Sequence, residues 1–157
     1  MIVRKIQKLE PRDISTSTIL WALFQKSYKV EAELVAVSDF PPLRRAVEDF
    51  QESNTMFYGV LINEKLAAAT EVSINEVDLE VCSLVVDPDF FRQGLARELL
   101  IFIEERFKPE RSTVETAAVN IPAIKLYEKH GFVMTDQWMT SFGIEKVKLV
   151  KRKTSCI

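Results

Sequence analysis

The sequence predicts an α/β fold with a mixed central sheet of about six or seven strands and about four flanking helices. Short apolar or alternating runs recur along the chain between segments of helical periodicity, in the order β-α-α-β-β-β-α-β-α-β-β. Proline-containing stops such as Asp87-Pro88 bound some of these runs. The composition, 47% hydrophobic and 28% charged over 157 residues, is typical of a globular protein that can bury a hydrophobic core. We therefore expect a single domain over residues 1–157.

The amino-terminal half predicts a strand, two helices and a pair of strands. MIVRKIQ alternates in part, which favours a short first strand. Residues 14–35 place apolar side chains at helical spacing behind Asp13, a residue type that caps helices. After the Pro-Pro stop at 41–42, residues 43–50 again follow a helical stripe. TMFYGVLIN and LAAATEVSI, separated by Glu64-Lys65, are typical of two strands joined by a tight turn.

The carboxyl-terminal half predicts alternating strands and helices. The continuous apolar run in VDLEVCSLVVDP indicates a strand buried on both faces. GLARELLIFIEERF predicts a helix and STVETAAV a strand. IPAIKLYEKHG predicts a second helix, because Pro122 lies in its first turn and Gly131 just past its end. FVMTDQWMTSF and IEKVKLV predict two closing strands, and the lysines of the last one suit a solvated face.

Charge, cysteine content and hydropathy exclude several function classes. A net charge of −2 offers no basic stripe, so we expect no nucleic-acid partner. No run approaches the roughly 18 apolar residues of a membrane span, so we expect no membrane partner. Cys82 and Cys156 lack metal-site or disulfide-framework spacing and are interpreted as reduced thiols of a cytoplasmic protein. The single His130 predicts a helix cap rather than a metal site.

A glycine-bearing turn between a buried strand and a helix suggests an anion site. Gly94, one of four glycines, lies just before the apolar repeat of the third helix. The first N–H groups of a helix lack acceptors and lie at its positive end, so they bind phosphate readily. Arg92 and Arg97 could add charge-assisted hydrogen bonds. On this stretch alone, a structural turn with solvated arginines is an equally good interpretation.

A second motif, combined with the first, gives a family resemblance. NIPAIKLYEKHGF has the form N-x-x-A-x-x-x-Y-x-x-x-G-F, from Asn120 to Phe132. With VVDPDFFRQGLARELL upstream, the chain resembles the GCN5-related N-acetyltransferase (GNAT) family. That family's acetyl-CoA loop is written Q/R-x-x-G-x-G/A. Here Phe91 stands at its first position and Arg92 follows, which removes one side-chain contact to the pyrophosphate but keeps the backbone cradle.

The resemblance implies a GNAT-type fold and a reaction with acetyl-CoA as co-substrate and no metal. The coenzyme would bind where the strands LEVCSLVV and TVETAAV splay apart. A primary amine would then attack the thioester directly in a ternary complex, without an acyl-enzyme. The implied coenzyme-binding residues are the β-strand residues Leu84, Val85 and Val86, the loop residues Arg92, Gln93, Gly94, Leu95, Ala96 and Arg97, and the helix residues Asn120, Ala123 and Tyr127.

Three residues are candidates for proton transfer. The resemblance implies that the hydroxyl of Tyr127 donates a proton to the departing thiolate; from the pattern alone, an ordinary core tyrosine with its hydroxyl at the rim is favoured. Glu115 and Glu80 match positions where family members carry a catalytic or water-relaying carboxylate. Glu115 is slightly preferred, because its strand leads directly to Asn120 and Tyr127. Solvent-facing or lysine-paired carboxylates are the alternative.

The acceptor and the assembly state stay open at this point. The resemblance implies that residues 27–40 form the acceptor side, where Glu31, Glu33 and Asp39 could attract a cationic amine; solvated helix charges are the more ordinary interpretation. The acceptor could be a small molecule or a peptide, and a homodimer is as open as a monomer. Two alternatives to an enzyme also remain: a degenerate acyl-CoA-binding or regulatory domain, and a protein-interaction module.

Overall fold

A single mixed sheet of seven strands forms the centre of the fold in residues 1–154, the part of the chain that the computed structural model describes. The strand order is β1-β2-β3-β4-β5-β7-β6, and only the β4–β5 pair is parallel. This confirms the predicted α/β class. Cys156 lies outside the described residues. The strands are β1 (Arg4–Leu9), β2 (Met56–Ile62), β3 (Lys65–Asn75), β4 (Asp78–Val86), β5 (Arg111–Ala117), β6 (Val133–Met139) and β7 (Glu145–Arg152).

Four α-helices flank the sheet within the same residues, and the second is shorter than predicted. Helix α1 (Ile14–Val35) has the predicted bounds, and α3 (Leu95–Phe107) and α4 (Ile121–Lys129) agree closely. The prediction of one helix over 43–50 is wrong in extent, because a 3₁₀ turn (Pro41–Arg44) precedes a short α2 (Val47–Gln51). Between them Arg45 has an extended backbone and binds Glu71 on β3. A tertiary ion pair here overrides the local helical pattern.

Two hydrophobic clusters lie on opposite faces of the sheet. Neighbouring β2 residues show the division: Phe57 packs with Leu20 and Phe24 of α1, and Tyr58 packs in the cluster that contains Leu99 of α3. Successive strand side chains point to opposite faces, so one strand can serve both clusters. The rings of Phe24 and Phe50 meet edge to face with centroids 4.9 Å apart, which holds α2 against α1. The sheet is therefore covered by α1 and α2 on one face and by α3 and α4 on the other.

Strand β4 pairs with β3 along its whole length but with β5 only over its first four residues, and this creates an opening in the sheet. Its pairing with β5 runs from Asp78 opposite Arg111 to Val81 opposite Val114 and then ends. On the β3 side the register shifts at the same place, so that Cys82 is an extra residue in a β-bulge. The prediction that β4 is buried on both faces is wrong, because Glu80 and Cys82 are exposed. Beyond Val81 the two parallel strands separate, as the family resemblance implied.

Candidate active site

A cavity of about 870 Å³ opens where β4 and β5 separate. One side is the free edge of β4, and the other is formed by the end of β5 and by α4. The turn before α3 closes one end, and α1 with the β6–β7 loop lines the other. A volume of this size is typical of small-molecule sites. Backbone groups of β4 beyond Val81 have no β5 partner, so they are free to pair with an extended ligand.

The turn at Gly94 has the geometry expected of an anion cradle. Gly94 is the amino-terminal cap of α3 and has a left-handed backbone with φ 74°. The N–H groups of Leu95 and Ala96 belong to the first helical turn, where no intrahelical acceptor is available. A Cβ at Gly94 would meet no atom within 4 Å, so the loop faces open space. Arg92 and Arg97 are exposed at the cavity wall.

The structure brings the predicted coenzyme-binding residues together around this one cavity. Val85 and Leu95 are each 2% exposed, so they offer a ligand their backbone rather than their side chains. Phe91, which replaces the expected polar residue, is 46% exposed at the mouth. The lining includes every predicted position: Leu84, Val85, Val86, Arg92, Gln93, Gly94, Leu95, Ala96, Arg97, Asn120, Ala123 and Tyr127.

Asn120 and Tyr127 hold the start and the middle of α4 against the cavity. Oδ1 of Asn120 accepts a hydrogen bond from the Ala123 N–H at 3.4 Å, so this side chain caps the helix. Tyr127 is 5% exposed, and its ring meets Phe132 edge to face at 5.7 Å. Burial, with smaller effects of Tyr28 and Glu31, raises the pKa of the Tyr127 phenol. The tyrosine is thus a packed core residue that also lines the cavity in its protonated form.

Of the two candidate bases, only Glu115 lines the cavity. Its carboxylate is exposed and accepts a hydrogen bond from the Lys146 ammonium at 3.1 Å. Glu80 is exposed elsewhere, on the part of β4 that still pairs with β5, where it lies opposite Thr113. Glu80 lies outside the cavity because the opening between β4 and β5 begins only after Val81. Glu115, and not Glu80, therefore lines the same cavity as Tyr127.

Five α1 residues line the cavity, Ser27, Tyr28, Val30, Glu31 and Leu34, and two of them, Tyr28 and Glu31, are titratable. Burial raises the pKa of the Glu31 carboxyl, against lowering contributions from the Asn120 amide, the Ala117 N–H and the Lys146 charge. Burial also raises the pKa of Tyr28 to about 12. The sequence analysis included Tyr28 in the acceptor segment, residues 27–40, but gave it no role of its own. The available signal was its spacing three residues before Glu31, which places both side chains on one helix face.

Comparison with known proteins assigns this geometry to a family. The profile described as the acetyltransferase (GNAT) family matches residues 17–132. The chain belongs to the GNAT acetyltransferase family. The resemblance inferred from the Gly94 turn and the Asn120 motif is thereby confirmed.

Two curated relatives match this chain over part of their length. The UPF0157 protein YqkA of Bacillus subtilis (strain 168) is 34% identical over 140 residues, which are 88% of this chain and 41% of that protein. The ribosomal protein bS18 alanine N-acetyltransferase of Escherichia coli (strain K12) is 37% identical over 98 residues, which are 59% of this chain and 65% of that protein. The chain therefore spans less than two thirds of the length of either relative.

Solved structures share the GNAT fold. The ribosomal-protein-S18-alanine N-acetyltransferase from Escherichia coli superposes with a TM-score of 0.76 at 22% identity, covering 98% of this chain and 96% of that one. The PaiA N-acetyltransferase from Thermoplasma acidophilum, solved in complex with coenzyme A, gives 0.75 at 17% identity and covers 96% and 99%. At these identities the likeness concerns the fold.

A buried ion pair lies beside the GNAT cleft, on the α1 face of the sheet. The Arg45 guanidinium donates two hydrogen bonds to Glu71, at 2.7 and 3.0 Å, and stacks 4.1 Å from the Phe50 ring centroid. Thr55 and Ser83 hydroxyls donate to the same carboxylate at 2.6 and 3.1 Å. Burial alone would raise the pKa of Glu71, but these hydrogen bonds outweigh it and lower the pKa. Since Ser83 follows the bulge, this network fixes the strand where the GNAT cleft opens.

The remaining reactive side chains lie away from the centre of the cleft or at its margin. His130 ends α4, as predicted, and its Nε2 lies 3.0 Å from Glu104. Cys82 is a free thiol. Within residues 1–154, no group of three or more His, Cys, Asp or Glu side chains is arranged to hold a metal ion. No helix in that range is long and apolar enough to cross a membrane.

Proposed function

We propose that this protein is an acetyl-CoA-dependent N-acetyltransferase that transfers the acetyl group to a primary amine by direct attack in a ternary complex. The observation that carries the proposal is the convergence of three features on one cavity: the free edge of β4, the N–H groups after Gly94, and Tyr127. Two comparisons support it. One fold relative was solved with coenzyme A, and one curated relative is named an alanine N-acetyltransferase.

The coenzyme would bind along the opening of the sheet. Backbone amides of the pantetheine arm would pair with β4 over residues 82–86, in the way that a peptide adds to a strand edge. The pyrophosphate would lie on the N–H groups that follow Gly94, with Arg92 and Arg97 supplying charge-assisted hydrogen bonds. Asn120 and Ala123 would contact the arm from α4.

The proposed chemistry needs two protein groups and no metal. The lone pair of the acceptor nitrogen attacks the thioester carbonyl carbon, and a C–N bond forms. Before this attack, Glu115 takes a proton from the ammonium form of the acceptor, directly or through one water molecule, and passes it to solvent. The C–S bond then breaks, the thiolate takes the proton of the Tyr127 hydroxyl, and the second proton released by the acylated nitrogen restores that hydroxyl. Most of the acceleration would come from holding the two substrates together, with proton transfer adding about a hundred- to ten-thousandfold.

The function is tested by a thermal-shift titration with acetyl-CoA, followed by an assay of free CoA release over a panel of amines. We expect acetyl-CoA to raise Tm and at least one amine to give amine-dependent CoA release. A Tm that rises without turnover on any amine would favour the degenerate acyl-CoA-binding domain. An unchanged Tm would favour the interaction module and would contradict the proposal. The curated alanine N-acetyltransferase makes short peptides with amino-terminal alanine the first acceptors to screen.

The choice of base is tested by a pair of matched variants. Glu115→Gln should flatten the acid limb of the pH profile of kcat/KM, because the group whose ionisation controls that limb is removed. Glu80→Gln makes the same chemical change outside the cavity and should keep the wild-type profile. If both variants keep the wild-type rate, a water chain or an already neutral amine replaces the carboxylate.

We also propose a cytoplasmic location and a single domain over residues 1–157. The free thiol of Cys82 is compatible with a reducing compartment.

A further inference from the structure

Of the three acidic residues on the acceptor side, only Glu31 faces the cavity. Asp39 is bound by the Arg44 guanidinium through two hydrogen bonds at 2.6 and 2.9 Å. Glu33 is exposed and does not line the cavity, whereas Glu31 lies in its wall on the same helix. The carboxylate of Glu31 is therefore the one acidic group of this segment that a ligand in the cleft would meet.

The charge of Glu31 is not matched by a close ion pair within residues 1–154. Lys146 is the cation on the facing strand, but its ammonium is held 3.1 Å from Glu115 and acts on Glu31 only at longer range. Burial of a carboxylate without a cation next to it is unfavourable, and it raises the pKa of Glu31. Burial removes part of the hydration of this carboxylate. A positively charged ligand would replace the lost hydration with an ionic interaction.

The mouth of the cavity around Glu31 is apolar. Leu34, one turn after Glu31 on α1, is 49% exposed, and Phe142 in the β6–β7 loop is 52% exposed. Phe40 also lines the cavity and is buried against the Tyr28 ring, with centroids 6.1 Å apart. The Arg44 guanidinium lies 5.1 Å from the Phe142 ring centroid, which holds that ring in place. Exposed apolar side chains at the rim of a cavity indicate a surface that a ligand covers.

We propose that Glu31 selects the acceptor by binding its protonated primary amine, and that the acceptor carries an apolar segment which packs against Leu34, Phe40 and Phe142. This inference rests on the proposed acetyltransferase function and names the substrate class of the same cleft. Glu31 is a specificity-determining residue in this scheme, and Glu115 remains the base. The Glu31 carboxylate defines one ammonium site, and the apolar rim defines what lies next to it.

The proton balance of the reaction follows from this assignment. An ammonium bound at Glu31 loses one proton to solvent through Glu115 and becomes the neutral nucleophile. After attack on the thioester carbon the nitrogen loses a second proton, which replaces the one that Tyr127 gives to the thiolate. The products are the acetylated amine, free CoA and one proton.

The inference is tested by equilibrium binding, which does not depend on turnover. Propylamine, hexylamine and the alcohols of equal length are titrated calorimetrically into the protein saturated with CoA, and also into the protein without CoA. We expect each amine to bind at least about tenfold more tightly than its alcohol, the scale of one charge-assisted hydrogen bond. Affinity should also rise from propylamine to hexylamine, because the longer chain covers more of the apolar rim.

Two matched variants assign the amine preference to one residue. Glu31→Gln keeps the size of the side chain and should remove the preference for amine over alcohol, while the dependence on chain length survives. Glu33→Gln makes the same change on the same helix outside the cavity and should keep the preference. Equal binding of amine and alcohol by the wild type, or an unchanged preference in Glu31→Gln, would overturn the inference.

Two further measurements complete the test: steady-state kinetics, and a comparison of short peptides with alkylamines as acceptors. With an active acceptor, Glu31→Gln should raise the acceptor KM about ten- to hundredfold and leave kcat and acetyl-CoA affinity nearly unchanged. A fall in kcat with unchanged KM would make Glu31 a base and would overturn its role in recognition. Short alanyl peptides, compared with alkylamines, distinguish a peptide amino terminus from a small amine. A failure to bind acetyl-CoA would contradict the proposed function, while the amine titration without CoA would still report on Glu31.

Discussion

Two glutamates on the same face of the sheet have opposite environments. Glu71 accepts hydrogen bonds from Arg45, Thr55 and Ser83, and its pKa is lowered. Glu31 lines the cavity, is matched by no close ion pair within residues 1–154, and its pKa is raised. The comparison distinguishes a glutamate that stabilises the fold from one that is available to bind a ligand. A buried carboxylate that is paired with a cation inside the protein fixes a strand, and a half-buried carboxylate without a close cation is available to a ligand.

The largest expected effect comes from breaking the Arg45–Glu71 pair. Glu71→Ala leaves the half-buried Arg45 guanidinium without its partner and should lower the free energy of unfolding by about 3 kcal/mol, the lower end of the range for buried ion pairs, measured by urea denaturation. The control is Arg44→Ala, which breaks the exposed pair with Asp39 and should cost about 0–1 kcal/mol. Similar losses in the two variants would mean that the buried network does not stabilise the bulge.

On the site side of the comparison, Tyr127→Phe removes one hydroxyl from the cavity. We expect kcat to fall about ten- to a thousandfold, because the thiolate would leave without a proton donor. Acetyl-CoA affinity should change by less than about threefold, a difference of roughly 0.7 kcal/mol. Tyr58→Phe is the matched control, since Tyr58 is equally buried but lies outside the cavity. Wild-type turnover by Tyr127→Phe would show that this tyrosine is structural.

A smaller effect is expected from bulk at the anion cradle. Gly94→Val should weaken acetyl-CoA binding at least tenfold, or about 1.4 kcal/mol, because a side chain would occupy the space in front of the N–H groups. Gly143→Val controls for backbone strain, since Gly143 also has a positive φ, 77°, and open space at its Cβ position. It should lose stability in a similar way and keep its acetyl-CoA affinity. Equal losses of affinity in both would point to strain instead of blocked access.

The smallest effect is in the pH dependence of stability, where the two glutamates should give opposite signs. The folded-state pKa of Glu71 is lowered, so its stabilisation is present above the unfolded pKa and is lost as pH falls through the folded pKa. The folded-state pKa of Glu31 is raised, so its charge destabilises the fold at neutral pH and this penalty disappears in acid.

Thermal melts from about pH 3 to pH 8 should show this contrast. Glu71→Gln should be less stable than the wild type at neutral pH, and Glu31→Gln more stable. Both differences should shrink toward the acid end of the range. A Glu31→Gln variant that is destabilised at neutral pH would mean that the fold itself satisfies this carboxylate.

Much of the fold could be predicted because its signals are local. The apolar period of α1 and the glycine at the start of α3 each lie within one short segment, and the structure agrees with both. Features that depend on the register of distant strands could not be predicted. The separation of β4 from β5 after Val81 is what puts Glu115 in the cavity and leaves Glu80 outside.

The acceptor side illustrates the same limit. The apolar stripe of α1, continued one turn beyond Tyr28, reaches Glu31 and not Glu33, but it does not show that a cavity opens there. The pairing of Arg45 with Glu71 joins residues 26 positions apart, and it also explains why α2 begins later than its hydrophobic stripe indicates. The roles of Tyr127, Glu115 and the coenzyme-binding residues stay predictions until the variants above are measured.

The parallel pairing of β4 with β5 has a mechanical consequence. It contains only four residue pairs, from Asp78 and Arg111 to Val81 and Val114, and it joins two antiparallel halves, β1–β4 and β5–β7–β6. Within each half, the antiparallel ladders contain more residue pairs. We therefore expect the β4–β5 pairing to be the most flexible part of the sheet and the first to open in thermal fluctuations. A coenzyme bound across the opening would hold β4 and β5 together, because it would add hydrogen bonds where the sheet itself has fewest. Coenzyme binding would then also determine how rigid the sheet is.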